Sequence, residues 1–160
     1  MVKQTPIAFS KQLIKGKVGE VVFDQMFRRV EDYIVIPFGY EKIIPDLIQF
    51  TTPADRSGII DNIRNAPDFA LVSLNPKEVR LVEVKYRTRV DMDEIKKSAA
   101  VICERWKLAW LFVATPDGFY FDFCEHIAKQ SKLTPLDTKT VPARIQAEYA
   151  KLLKDFIGSH

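Results

Sequence analysis

Two apolar runs lie close together near the middle of the chain. Pro67-Asp68-Phe69-Ala70-Leu71-Val72 is followed, after Asn75-Pro76-Lys77-Glu78, by Val79-Arg80-Leu81-Val82-Glu83-Val84-Lys85-Tyr86. Strand-forming residues around a turn-forming tetrapeptide predict a hairpin of strands 68–74 and 79–86. Side chains alternate between strand faces, so Glu83 and Lys85 share a face with Val79 and Leu81. Val82 and Val84 point the other way and are also apolar, so both faces are expected to be buried along most of the strand. A carboxylate and an ammonium on such a face cost several kcal/mol unless something compensates them. With Asp68 beside them, two carboxylates and a lysine converge at one strand end. That arrangement can hold a hard divalent cation and position a water for attack on phosphate.

The rest of the chain supplies a frame for this hairpin. Residues 10–30 read as a helix with a broad apolar stripe of Leu13, Ile14, Val18, Val21, Val22, Phe23, Met26 and Phe27. Glu20 lies on the side shared by Gly16, Phe23 and Phe27, where a carboxylate needs a partner. Gly16 and Gly19 each cost a helix about 1 kcal/mol relative to Ala, which implies a close backbone approach or a helix that begins later. Residues 33–38 read as a strand, and residues 40–66 as an insertion between two core strands. Within that insertion, 54–65 is predicted to be a short helix and 40–52 strand or loop.

Asp91-Met92-Asp93-Glu94 has the pattern of a capped helix start, with Ile95, Ala99, Ile102 and Trp106 on the buried face. Residues 108–115 and 119–123 form a second hairpin around Pro116-Asp117-Gly118. Ile145, Tyr149, Leu152, Leu153 and Phe156 give a closing amphipathic helix over 142–157. The expected fold is α/β (α+β) in a single domain, 1–160: a central mixed sheet flanked by helices, in the order α-β-β-β-α-β-β-α.

A chain of 160 residues with 47% hydrophobic content is long enough for one well-packed core. The longest apolar run, 108–114, is too short to cross a bilayer, and the first residues have no signal-peptide pattern. Cys103 and Cys124 lack metal-like spacing and read as reduced structural thiols, so a cytoplasmic location is expected. His126 and His160 are isolated and give little support to a zinc site. No nucleotide-type glycine loop is present, and no nucleotide cofactor is expected. The overall charge of +3 is unevenly spread: residues 1–29 carry +4, 30–79 carry −4, 80–107 carry +3, and 108–160 balance. The basic blocks flank or contain the candidate carboxylates, as on a surface that receives phosphates, and a solvated helix face gives the same clustering. Trp106 and Trp110 read as core packing rather than base-stacking platforms.

Lys15-Gly16-Lys17-Val18-Gly19-Glu20 on the first helix, Pro67-Asp68 opening a strand, and Glu83-Val84-Lys85 on the next resemble the PD-(D/E)XK nuclease superfamily. The resemblance covers about residues 10–123. Its Gly-x-x-Gly-Glu is most similar to the archaeal-type Holliday junction resolvase branch and its restriction-endonuclease-like relatives. It implies a restriction-endonuclease-like core and a magnesium- or manganese-dependent endonuclease acting on DNA, branched DNA included, in recombination, repair or restriction. By the same resemblance Asp68 and Glu83 bind the metal, Glu20 completes its site, and Lys85 serves the attacking water. A nucleoid-associated location fits as well as a cytoplasmic one.

Pro45-Asp46 is a competing Pro-Asp, but Asp68 directly enters the strand that pairs with Glu83. The long 40–66 segment and the closing helix depart from the resolvase pattern and leave the subfamily open. Lys15, Lys17, Arg87 and Arg89 flank the site and are candidate nucleic-acid contacts. Lys96 and Lys97 are poorer candidates. One chain carries one candidate site, so cutting two strands implies a homodimer, with the 145–156 stripe available as surface. Two other readings use the same residues: a non-cleaving nucleic-acid-binding or scaffold protein, and a ribonuclease. A purely structural arrangement, with Glu83 and Lys85 as an ion pair and Asp68 capping a turn, also fits.

Overall fold

The computed structural model describes residues 5–39 and 65–158. Pro45-Asp46 and the structure expected for 40–64 lie outside the described residues. The elements are α1 (Pro6–Arg28), β1 (Tyr33–Pro37), β2 (Phe69–Leu74), β3 (Lys77–Tyr86), α2 (Met92–Arg105), β4 (Trp110–Thr115), β5 (Gly118–Phe123), α3 (Cys124–Gln130) and α4 (Ala143–Gly158). The expected order therefore lacks one element, the short helix α3 that directly follows β5. Its seven residues are too few to give a clear amphipathic period, and the sequence does not separate them from the end of the strand.

The fold is α+β, built on one five-stranded mixed sheet in the order β1-β2-β3-β4-β5. β1, β2 and β3 form an antiparallel meander, β3 and β4 run parallel across α2, and β5 returns antiparallel to β4. Leu74 pairs with Lys77, so the first hairpin turns on Asn75 and Pro76 alone and β3 begins earlier than expected. No helix among the described residues is long and apolar enough to cross a membrane.

Capping chemistry sets the helix boundaries. The Thr5 hydroxyl accepts the Ala8 N–H at 3.2 Å and Pro6 follows it, so α1 starts before Ser10 and both glycines lie within it. The Asp91 carboxylate accepts the N–H groups of Asp93 and Glu94 and opens α2 as expected.

Each sheet face carries its own apolar layer. On one, Val22, Phe23, Met26 and Phe27 of α1 pack with Phe69, Val82, Val84, Phe112 and, from α4, Ile145 and Leu153. On the other, Ile95, Ala99 and Ile102 of α2 and Ile127 of α3 cover Leu111 and Val113. The ring of Phe23 lies 5.0 Å from those of Phe69 and Phe112, linking helix to sheet. The buried Asp122 carboxylate accepts the hydroxyl and N–H of Thr134 and the N–H of Phe123, pinning the chain between α3 and α4 to β5.

Two expectations about burial are corrected. β3 is fully buried on the Val82-Val84-Tyr86 face; on the other face Glu83 is mostly buried, but Val79 is 62% exposed and Leu81 half-buried, because α2 and α3 cover β4 rather than the first part of β3. The stripe on α1 is only partly used, since Leu13, Ile14 and Val21 are 54%, 53% and 58% exposed. A helix packed on a flat sheet buries a narrower face than the sequence stripe spans.

Candidate active site

The site forms where β2 and β3 part. The antiparallel register ends at Phe69 opposite Val82, while β3 runs on beside β4 to Tyr86 opposite Ala114. Beyond Val82 the β3 edge facing β2 has lost its strand partner, and an unpaired buried N–H is costly. Asp68 takes over: its Oδ2 accepts the N–H of Val84 at 2.9 Å. The Asp68 carbonyl in turn accepts the N–H groups of Phe38 at 2.9 Å and Gly39 at 3.0 Å, so its backbone is held from the β1 side.

Alternation along β3 puts Glu83 and Lys85 on one face, two residues apart. Lys85 Nζ donates to Glu83 Oε1 at 2.9 Å, with the side chains 33% and 16% exposed. Glu20 arrives from α1, with its carboxylate 3.3 Å from Lys17 Nζ. Gly19, just before it, sets that approach: a Cβ there would lie 3.2 Å from Tyr86 Cβ and 3.6 Å from Val84 Cγ1. Glu20, Asp68, Glu83 and Lys85 line one open cleft of about 590 Å³.

The electrostatics are unusual for carboxylates. Burial, reinforced by the negative charge of Glu83, pushes Asp68 up to about 7 against the stabilising Val84 N–H. Burial also raises Glu83, outweighing the Lys85 ammonium beside it. Glu20 adds its charge in the same direction at both. Two acids thus sit where the protein alone disfavours their ionised forms, which is the setting in which a bound cation gains most. Among the described residues no three His, Cys, Asp or Glu side chains form a ready-made metal cage. The donor set is an acidic pair with a third carboxylate within electrostatic reach.

The structure divides the four cations expected to meet nucleic acid. Lys15 and Arg87 line the carboxylate cleft; Lys17 lines a separate apolar groove, and Arg89 lines neither. Arg87 is engaged, with Nε 3.0 Å from Glu94 and Nη1 donating to the Tyr86 carbonyl at 2.8 Å. Trp106 and Trp110 pack against the two apolar layers. Cys103 and Cys124 are both free thiols, and burial pushes Cys124 up to about 12.

Sequence reasoning missed Gln12, Tyr86, Thr88 and Glu94, which also line the cleft. Gln12 sits one helical turn before Gly16 and two before Glu20, and that spacing was a readable signal. Tyr86 gave none, being indistinguishable from a core residue; its hydroxyl is buried without a hydrogen-bond partner among the described residues. No protein-family model, curated protein or solved structure matches the chain.

Proposed function

We propose that the protein is a metal-dependent endodeoxyribonuclease of the PD-(D/E)XK type, resolvase-like or of repair or restriction type. The observation that carries this reading is the convergence of Asp68, Glu83 and Lys85 where β2 and β3 part, in an open cleft that Glu20 also lines. A structural ion pair with a capping aspartate explains the Glu83–Lys85 contact and the Asp68–Val84 bond. It leaves the burial that raises both carboxyls only partly offset by the Lys85 ammonium and the Val84 N–H, and a bound cation would offset it further.

The donor set fits a hard divalent cation. Mg²⁺ and Mn²⁺ favour carboxylate oxygens, and Mg²⁺ takes one or two of them together with waters and substrate oxygens. Asp68 and Glu83 would hold the ion, with Glu20 nearby. When bound, such an ion makes a water acidic enough to attack and offsets charge developing on the phosphate. Lys85, fixed by Glu83, orients the attacking oxygen or donates to the phosphoryl oxygens. Lys15 supplies positive charge at the cleft for the substrate strand.

The working unit proposed is a homodimer. Leu13, Ile14 and Val21 of α1 and Leu152 and Phe156 of α4 line an apolar groove of about 670 Å³, and all five are exposed. A two-fold contact through this face buries it and brings two sites to one substrate.

The test is incubation with branched, duplex and single-stranded DNA, and with RNA, in Mg²⁺ or Mn²⁺ and in EDTA. Asp68→Asn and Glu83→Gln are expected to abolish cleavage while binding persists, because each removes a ligand charge with little change of shape. Absence of metal-dependent cleavage across the panel, or equal loss of binding and cleavage in both variants, sinks the reading.

A further inference from the structure

Gly19 and Gly16 lie one turn apart in α1, and among the described residues only the first has a neighbour that favours glycine. Gly19 is favoured by the close approach to Tyr86. A Cβ on Gly16 would meet no described residue within 4 Å, and its backbone is not in the left-handed region that favours glycine. Neither packing nor conformation calls for glycine here, and glycine is among the worst helix formers. Yet Gly16 lines the carboxylate cleft, one turn before Glu20 and one turn after Gln12. Its missing side chain cuts a notch in the rim of the cleft.

Two groups around the notch are uncommitted among the described residues. Gln12 and Lys15 line the same cleft, and neither makes a side-chain hydrogen bond or ion pair with the described residues. The other cations there are taken, Lys85 by Glu83 and Arg87 by Glu94. That leaves Gln12 and Lys15 as the donors facing the notch. Unspent donors beside a gap suit an anionic chain that must come close to the helix.

We infer that Gly16 is the close-approach point for the sugar-phosphate backbone of the substrate strand, with Lys15 and Gln12 donating to a phosphate away from the reacting one. This rests on the nuclease reading and adds to it how the strand is held beside the carboxylates. Gly16 and Gln12 are positioning residues; the bond is broken elsewhere in the cleft.

The test uses the full chain carrying Gly16→Ala, Gly16→Leu or Lys15→Ala, with binding to a labelled DNA duplex measured by anisotropy in the Asp68→Asn background. Both glycine variants are expected to melt at or above the parent temperature, since the added atoms meet open space and both residues favour helix. Affinity is expected to fall in step with side-chain size, by about tenfold or more for Gly16→Leu, as a steric block does. Lys15→Ala should lower the slope of log affinity against log salt by about one, the signature of one lost phosphate contact. Parent-like binding by a folded Gly16→Leu overturns the notch and leaves the nuclease reading standing. A wild type that neither binds nor cuts DNA overturns both. If Gly16→Leu fails to fold, a Gly16→Ala as stable as the parent with unchanged affinity overturns the notch alone.

Discussion

Gly19 and Tyr86 hold the first helix close against the central strand: a Cβ on Gly19 would stand 3.2 Å from the Cβ of Tyr86, tighter than ordinary van der Waals contact. Tyr86 has little room to give way, because this last residue of β3 is paired with Ala114 of β4. Gly19→Ala must therefore lift α1, and Glu20 moves with it. Overpacking costs about 1–3 kcal/mol, against about 1 kcal/mol gained in helix propensity. A net loss of about 1 kcal/mol is expected in urea unfolding, with a larger loss of cleavage than of DNA affinity. An unchanged midpoint and full activity would show that the contact does not set the position of Glu20.

The stability of the metal-free protein should depend on Asp68. Folded, its carboxyl is pushed up to about 7; unfolded, it returns to the ordinary 3.8. Between these values the folded chain keeps a proton that the unfolded chain releases. This contribution to stability is complete below about 3.8 and is lost as pH rises through about 7. The loss is on the order of a few kcal/mol, and Glu83 adds to it in the same direction. Denaturation in EDTA at a series of pH values from acid to alkaline should show the decline in wild type. Asp68→Asn should flatten it and be the more stable protein above pH 7.

Divalent metal should act where the proton has left. Mg²⁺ or Mn²⁺ is expected to raise the melting temperature, by mass action on the folded state, and to do so more as pH rises through Asp68's range. The increase should disappear in Asp68→Asn. A melting curve indifferent to metal at every pH argues against Asp68 and Glu83 as ligands.

Lys85→Met keeps the length of the side chain and removes the ammonium 2.9 Å from Glu83. DNA affinity should change little, and the single-turnover cleavage rate should fall by about a hundredfold or more, the usual scale for losing a group that serves proton transfer. A fall in affinity with an unchanged rate would make Lys85 a binding residue.

Wild-type protein should sediment as a dimer at micromolar concentration. Val21→Glu and Leu152→Glu each place a charge on the exposed apolar face of α1 and α4 and should give folded monomers. A monomeric wild type that still cuts both strands of a branched substrate favours sequential nicking.

Strand alternation was enough to place Glu83 and Lys85 together, and the Pro67-Asp68 entry to the preceding strand brought the third group beside them. Helical spacing put Gly16 and Glu20 on the cleft side of α1. What the sequence left hidden depends on contacts between distant segments. The end of the β2–β3 register at Val82 is one such feature, and it gives Asp68 its bond to Val84. Another is the choice of which part of a sheet face a helix covers. Val79 looks like a core residue in its own strand, and only the placement of α2 over β4 leaves it in solvent. The two glycines read alike in the sequence and part company only once β3 is seen beneath one of them.

The chain leaves the sheet at Gly39 and rejoins it at Pro67, and both departure and return are gathered at Asp68, whose carbonyl binds the N–H groups of Phe38 and Gly39. One residue therefore joins the ends of two strands at the entrance to a third: its carbonyl holds the end of β1 and its carboxylate holds Val84 of β3. A change that moves the backbone of residue 68 moves the carboxylate with it, so a shift at Phe38 or Gly39 is passed to the cleft although neither residue lines it.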